Sequence, residues 1–177
     1  MVRATVFIRA DAGPRTGWGH VVRCGALADE LGRRACRVVW LLRESDAAVR
    51  SSLEKRFEVR VPAREIVEAL PGDFRPGDWI VVDRYGWGLR EQRTLRQAGA
   101  RLLWLDDAGR GSFAADLVLN QNLGAEASRY ALAPGSRLLA GLRFALLRRD
   151  FAAAPGRRAF PARARRVLVS FGGSDPR

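Results

Sequence analysis

The sequence predicts an α/β protein whose parallel sheet carries helices on both faces. Short apolar runs alternate with amphipathic stretches along most of the 177 residues, as in sheets built from strand–helix–strand crossovers. Four of the runs, VVWLL (38–42), WIVV (79–82), LLWL (102–105) and LVL (117–119), are apolar at consecutive rather than alternate positions. Strands buried on both faces read that way, whereas strands with one wet face alternate.

Taken in order, VRATVFIRA (2–10) reads as the first strand and HVVRCGALADELGRRA (20–35) as the first helix. In that helix His20, Cys24, Leu27 and Leu31 are spaced 4, 3 and 4 apart and form one apolar stripe. CRVVWLLR (36–43) is a second strand and DAAVRSSLEKR (46–56) a second helix. FEVRVP (57–62) is a weaker strand, followed by a short helix near REIVEAL (64–70). DWIVVD (78–83), RLLWLDD (101–107) and DLVLNQN (116–122) are further strands. LREQRTLRQAG (89–99) is the helix between the first two of these, closed by Gly99. The order is that of a Rossmann-like sheet. RRVLVSFGGSDPR (165–177) reads as one more buried strand running into a glycine turn, preceded by the basic, proline-interrupted RRAFPARARR (157–166). The expected organisation is one domain over 1–155, a linker over 156–165, and the first strand and glycine loop of a second domain over 166–177.

A hydrophobic fraction of 47% allows a sizeable core. No apolar run approaches the ~20 residues of a membrane span, and the N-terminal apolar run meets Asp11 too soon for a secretory signal. Two cysteines, Cys24 and Cys36, give no disulfide framework and fit a reducing compartment, so a cytoplasmic protein is expected. The net charge of +12 is almost all arginine, Lys55 being the only lysine. Most of these arginines sit among Asp and Glu on helical stretches, as on a solvated face. Basic and aromatic residues are not interleaved, so no nucleic-acid partner is expected.

The loop DAGPRTGWG (11–19) joins the first strand to the first helix, and in such sheets ligands bind at the carboxyl ends of the strands. Asp11, Gly17 and Gly19 lie in it; the glycines let a ligand approach the backbone, and the helix N-terminus attracts negative charge. His20, the only histidine, stands at the top of the helix's buried stripe. The positive helix end favours a neutral imidazole, which in a crevice serves as a general base; the alternative is a hydrogen-bonded histidine that closes the core. Three further strand ends are polar: Asp83 with Tyr85, Asp106 with Asp107, and Asn120 with Asn122. Together they would make one polar rim; singly, each is accounted for as a cap or turn residue. One histidine and two cysteines are too few for a zinc site. Asp106–Asp107 lacks the D-x-D spacing that often holds a metal-bound nucleotide, so no metal is inferred. Trp18 and Trp87 sit in loops, as sugar or base platforms or as packing beneath the loop.

Six segments in order, IRADAGPRTGWGHVVRC, VVDRYG, LDDAG, LVLNQNLGAEASRY, GLRFALLRRDF and SFGGSD, resemble the N-terminal half of the PseG-type UDP-sugar hydrolases of pseudaminic acid biosynthesis, and are similar to related spore-coat polysaccharide proteins. The resemblance implies the N-terminal domain of a two-domain glycosyltransferase-B-like fold. It implies water attack at the anomeric carbon of UDP-2,4-diacetamido-2,4,6-trideoxy-L-altrose with release of UDP, needing neither metal nor other cofactor. His20 would be the general base and Tyr85 would lie near the sugar, with Asp11, Gly17, Gly19, Asp107 and Asn122 as substrate-binding candidates. Gly172, Gly173 and Ser174 would open the nucleotide site of the C-terminal domain. The implied partner is a UDP-linked amino sugar, and the protein is expected to be a monomer. Arg84 stands where the family pattern usually has histidine. Residues 1–177 without that second domain would lack a grip on the diphosphate leaving group, and little or no hydrolysis is expected of them. The alternatives are a transferase of the same fold, which would pass the sugar to an acceptor hydroxyl, and a non-catalytic sugar-binding remnant.

Overall fold

A computed structural model describes residues 4–13, 17–125, 129–151, 163 and 166–167. The expected linker and the opening of a second domain, including Gly172, Gly173 and Ser174, lie outside the described residues apart from 163, 166 and 167.

The elements run β1 (Thr5–Ala10), α1 (Gly19–Arg33), β2 (Arg37–Leu41), α2 (Ala47–Glu54), β3 (Glu58–Arg60), β4 (Trp79–Asp83), α3 (Leu89–Gln97), β5 (Arg101–Leu105), β6 (Gly111–Phe113), β7 (Leu117–Asn120), β8 (Tyr130–Leu132) and β9 (Arg137–Ala140). Seven strands form one parallel sheet in the order β3-β2-β1-β4-β5-β7-β9, and β6 pairs with β8 in a separate parallel ribbon. The chain builds outward from β1 to β3, then returns to lay β4 on the other side of β1. The strand order therefore reverses between β1 and β4, the point where open parallel sheets form a ligand crevice.

Both faces of the central strands are dry, which explains the unbroken apolar runs. Val6, Ile8, Val38, Trp40 and Val81 face Val21, Cys24 and Ala28 of α1 and Val49 and Leu53 of α2. The alternate residues Phe7, Val39, Leu41, Ile80, Val82 and Leu102 face Leu95 of α3 and Ile66. Each fully buried Val, Leu, Ile or Phe contributes about 1.5–3 kcal/mol. Residues 89–99 end as expected: Gly99 adopts φ +88°, and a Cβ there would meet Pro76 at 3.0 Å.

Three features differ from the sequence reading. Residues 64–70 form a single turn, with Glu68 and Ala69 N–H both donating to the Glu65 carbonyl, rather than a helix. Pro62 and Pro71 bracket the segment, leaving too few residues to offset helix nucleation. The strands expected to reach 107 and 122 stop at Leu105 and Asn120. Asp106 turns its carboxylate back onto the N–H groups of Ala108 (3.2 Å) and Gly109 (2.8 Å), and Asn120 Oδ1 accepts from Asn122 N–H at 2.9 Å. These are side-chain-mimicked turns, and each ends its strand. Lastly β6, β8 and β9, of three or four residues each, went unpredicted because segments that short carry no periodicity. Among the described residues no helix is long and apolar enough to cross a membrane.

Candidate functional site

Helix α1 begins at the β1–β4 reversal. Gly17 turns the chain into it with φ +66° and donates its N–H to the Gly13 carbonyl at 2.8 Å. Trp18 takes the N-cap position, but indole offers only a donor, and that N–H goes to Asp46 at 2.9 Å. Gly19 is the first helical residue and is exposed, with no atom within 4 Å of where a Cβ would stand.

His20 follows, 6% exposed. Its Nδ1 lies 3.1 Å from the backbone carbonyl of Asp83 and 3.5 Å from Asp83 Oδ1. Both are acceptors, so Nδ1 is the donor to them, and in the neutral ring the lone pair falls on Nε2. The ring of Tyr85 meets the imidazole edge-on, centroids 4.7 Å apart, while Tyr85 itself is 64% exposed. Burial, then the nearby Asp107 charge, raises the Tyr85 hydroxyl above its ordinary value.

Asp83 ends β4 and is almost wholly buried. Its carboxylate is gripped by Arg23, Nε to Oδ2 and Nη2 to Oδ1, both 2.5 Å. The same guanidinium donates to Asp107, Nη1 to Oδ1 at 2.7 Å and Nη2 to Oδ2 at 2.8 Å. Asn122 adds its amide to Asp107 Oδ1 at 3.3 Å. The Arg23 bonds hold the Asp107 carboxyl below the usual carboxylate range against the opposing effect of burial. Cys24 Sγ lies 3.5 Å from Asp83 Oδ2, and full burial pushes its thiol well above the ordinary value, so it is a core residue rather than a nucleophile. No cluster of three or more His, Cys, Asp or Glu side chains suited to a metal ion occurs among the described residues.

The structure thus brings His20, Tyr85, Asp107 and Asn122 to one rim and leaves Asp11 elsewhere. Asp11 Oδ1 accepts from the N–H groups of Arg43 (3.0 Å) and Glu44 (3.1 Å) and pairs with Arg9 at 2.5 Å; Oδ2 accepts from Arg84 at 3.0 Å. Burial raises its carboxyl, but these partners outweigh that and hold it below the ordinary value. Asp11 therefore ties the loop after β1 to the loop after β2. Arg84, which also pairs with Glu65 at 3.0 Å, stacks over Trp87 at 5.1 Å and braces the same cluster. Trp87 packs against the α3-side core. Trp18, 45% exposed, borders a groove of about 280 Å³ between α1 and α2.

Two arginines that organise this edge of the sheet escaped the sequence reading. Arg23 carried a signal, since it lies three residues from His20 on adjoining helical positions. Arg9 carried another: a charge inside a strand apolar on both sides must be paired. Compared with protein-family models and with curated proteins, the chain finds no match in either.

Proposed function

We propose that the chain is the base-bearing part of a cytoplasmic UDP-sugar hydrolase that acts on a UDP-linked 2,4-diacetamido-2,4,6-trideoxy sugar. The observation that carries this reading is the lone histidine at the strand-order reversal, whose Nδ1 faces only acceptors and whose Nε2 is thereby the basic nitrogen. In the proposed step Nε2 takes a proton from water while the water oxygen bonds to the anomeric carbon. The bond from that carbon to the UDP β-phosphate oxygen breaks, and UDP leaves with the electron pair. Arg23 has one positive charge against the two carboxylates Asp83 and Asp107, so the cluster keeps one net negative charge beside the ring. That charge complements the imidazolium formed as Nε2 gains its proton, as in other carboxylate–histidine pairs. Tyr85, exposed and touching the imidazole, supports contact with the sugar ring. Asp107 and Asn122 offer hydrogen-bond partners at the rim for the acetamido groups.

The test is product analysis with protein purified from its own cells. UDP and free sugar released without an acceptor support hydrolysis. Release only when an acceptor alcohol is added identifies a transferase. No release, with sugar binding retained, identifies a binding module.

A further inference from the structure

The reading of His20 as a base needs the lone pair of the neutral ring on Nε2, and the groups facing Nδ1 favour that tautomer. Asp83 presents two acceptors to Nδ1, its backbone carbonyl at 3.1 Å and Oδ1 at 3.5 Å. The carbonyl is fixed by the pairing of Asp83 with Ala10 in the sheet. The carboxylate is anchored chiefly by Arg23, which holds both of its oxygens in a fork, with the Cys24 thiol a weaker donor to Oδ2 at 3.5 Å. Four of the five guanidinium N–H groups of Arg23 are engaged, two on Asp83 and two on Asp107. Arg23 is mostly buried, its side chain 14% exposed, so it is poorly placed to grip a ligand anion itself.

We infer that Arg23 is a positioning residue for His20: by locking the Asp83 carboxylate beside Nδ1, it holds the imidazole in the Nδ1–H form and keeps Nε2 open at the rim. Lysine in its place keeps the charge but loses the planar fork. Asparagine at 83 keeps the backbone carbonyl but replaces one carboxylate oxygen with a donor. The inference rests on the proposed role of His20, yet it concerns the resting protein and is tested without substrate.

His20 is the single histidine, so its ring signals are assigned at once. A long-range proton–nitrogen correlation spectrum of the 15N-labelled protein, taken at about pH 8.5, two units above the reference imidazole value, shows which nitrogen bears the proton. The wild type should show the Nδ1–H form alone. Arg23→Lys and Asp83→Asn should each lower the ratio of Nδ1–H to Nε2–H by about tenfold, the loss of one charge-assisted contact. A wild type in the Nε2–H form overturns the inference, as does an unchanged ratio in either folded variant. Because a wild-type spectrum alone can refute it, a variant that does not fold leaves the test intact. A failed hydrolysis assay alongside the expected spectra would remove the enzymatic reading and leave the positioning contact standing.

Discussion

On the α3 face of the sheet, Arg9 is fully buried and spends its donors on Asp11 and Glu65; on the α1 face, Arg23 spends its own on Asp83 and Asp107. Both clusters sit at the carboxyl edge of the central strands, and both set arginines against two carboxylates. They differ in what lies beyond the ions. The Arg9 cluster is closed: Arg84 supplies a further cation, and Trp87 lies 5.9 Å from Arg9 and 5.1 Å from Arg84. The Arg23 cluster ends on an imidazole and an exposed tyrosine. A buried ion network whose members all face one another fixes loops to strands; one that ends on a titratable ring at a rim can do chemistry.

The largest effect is expected at the closed cluster. Arg9→Ala takes the fully buried cation from between Asp11 and Glu65, leaving them to the more exposed Arg84 and Arg43, and should cost about 3 kcal/mol in urea unfolding. Arg9→Met, with similar volume, should cost nearly as much, because the charge and not the bulk is missing. If either variant is as stable as the wild type, the cluster does not hold the loops.

A smaller effect tests the Arg23 cluster by pH. The Asp107 carboxyl is depressed in the folded protein, chiefly by the Arg23 hydrogen bonds. Its contribution is therefore complete above the unfolded value of about 4 and is lost as pH falls through the lower folded value. The acid limb of the stability–pH curve should be shallower in Asp107→Asn than in the wild type, with the two curves converging at the acid end. An identical slope would place Asp107 outside the ion network.

Tyr130 gives a test away from both clusters. Its hydroxyl donates to Asp106 Oδ2 at 2.9 Å and accepts from Asn120 at 2.7 Å, and burial first, with the Asp106 charge, pushes it up to about 12. The two tyrosines are both raised, Tyr130 to that value. Absorbance titration near 295 nm should show no phenolate step at the reference value of about 10. Tyr130→Phe should cost about 1 kcal/mol. At the rim, Tyr85→Phe is expected to change stability by less than about 0.5 kcal/mol, as at other exposed sites.

The fold was legible where burial is uniform. VVWLL, WIVV, LLWL and LVL have the pattern of two-faced strands and fall on β2, β4, β5 and β7, and α1 was visible in the stripe from His20 to Leu31. The short strands β6, β8 and β9 were not, since three or four residues carry no periodicity to read. The site was legible in the same uneven way. His20, Tyr85, Asp107 and Asn122 could be read because strand ends in a parallel sheet fall on one edge. The role of Arg23 was hidden because its partners lie 60 and 84 residues away. Asp11 shows the converse: a strand-end acid in the right loop, turned by Arg9 and two backbone N–H groups into a brace.

The most direct measurement is the turnover of UDP-2,4-diacetamido-2,4,6-trideoxy-L-altrose by the protein purified from its own cells, compared with its His20→Gln variant. Loss of the general base should lower kcat by about 100-fold or more, with unfolding free energy within about 1.5 kcal/mol of the wild type. A variant that releases UDP at the wild-type rate would contradict the assignment and return His20 to the core.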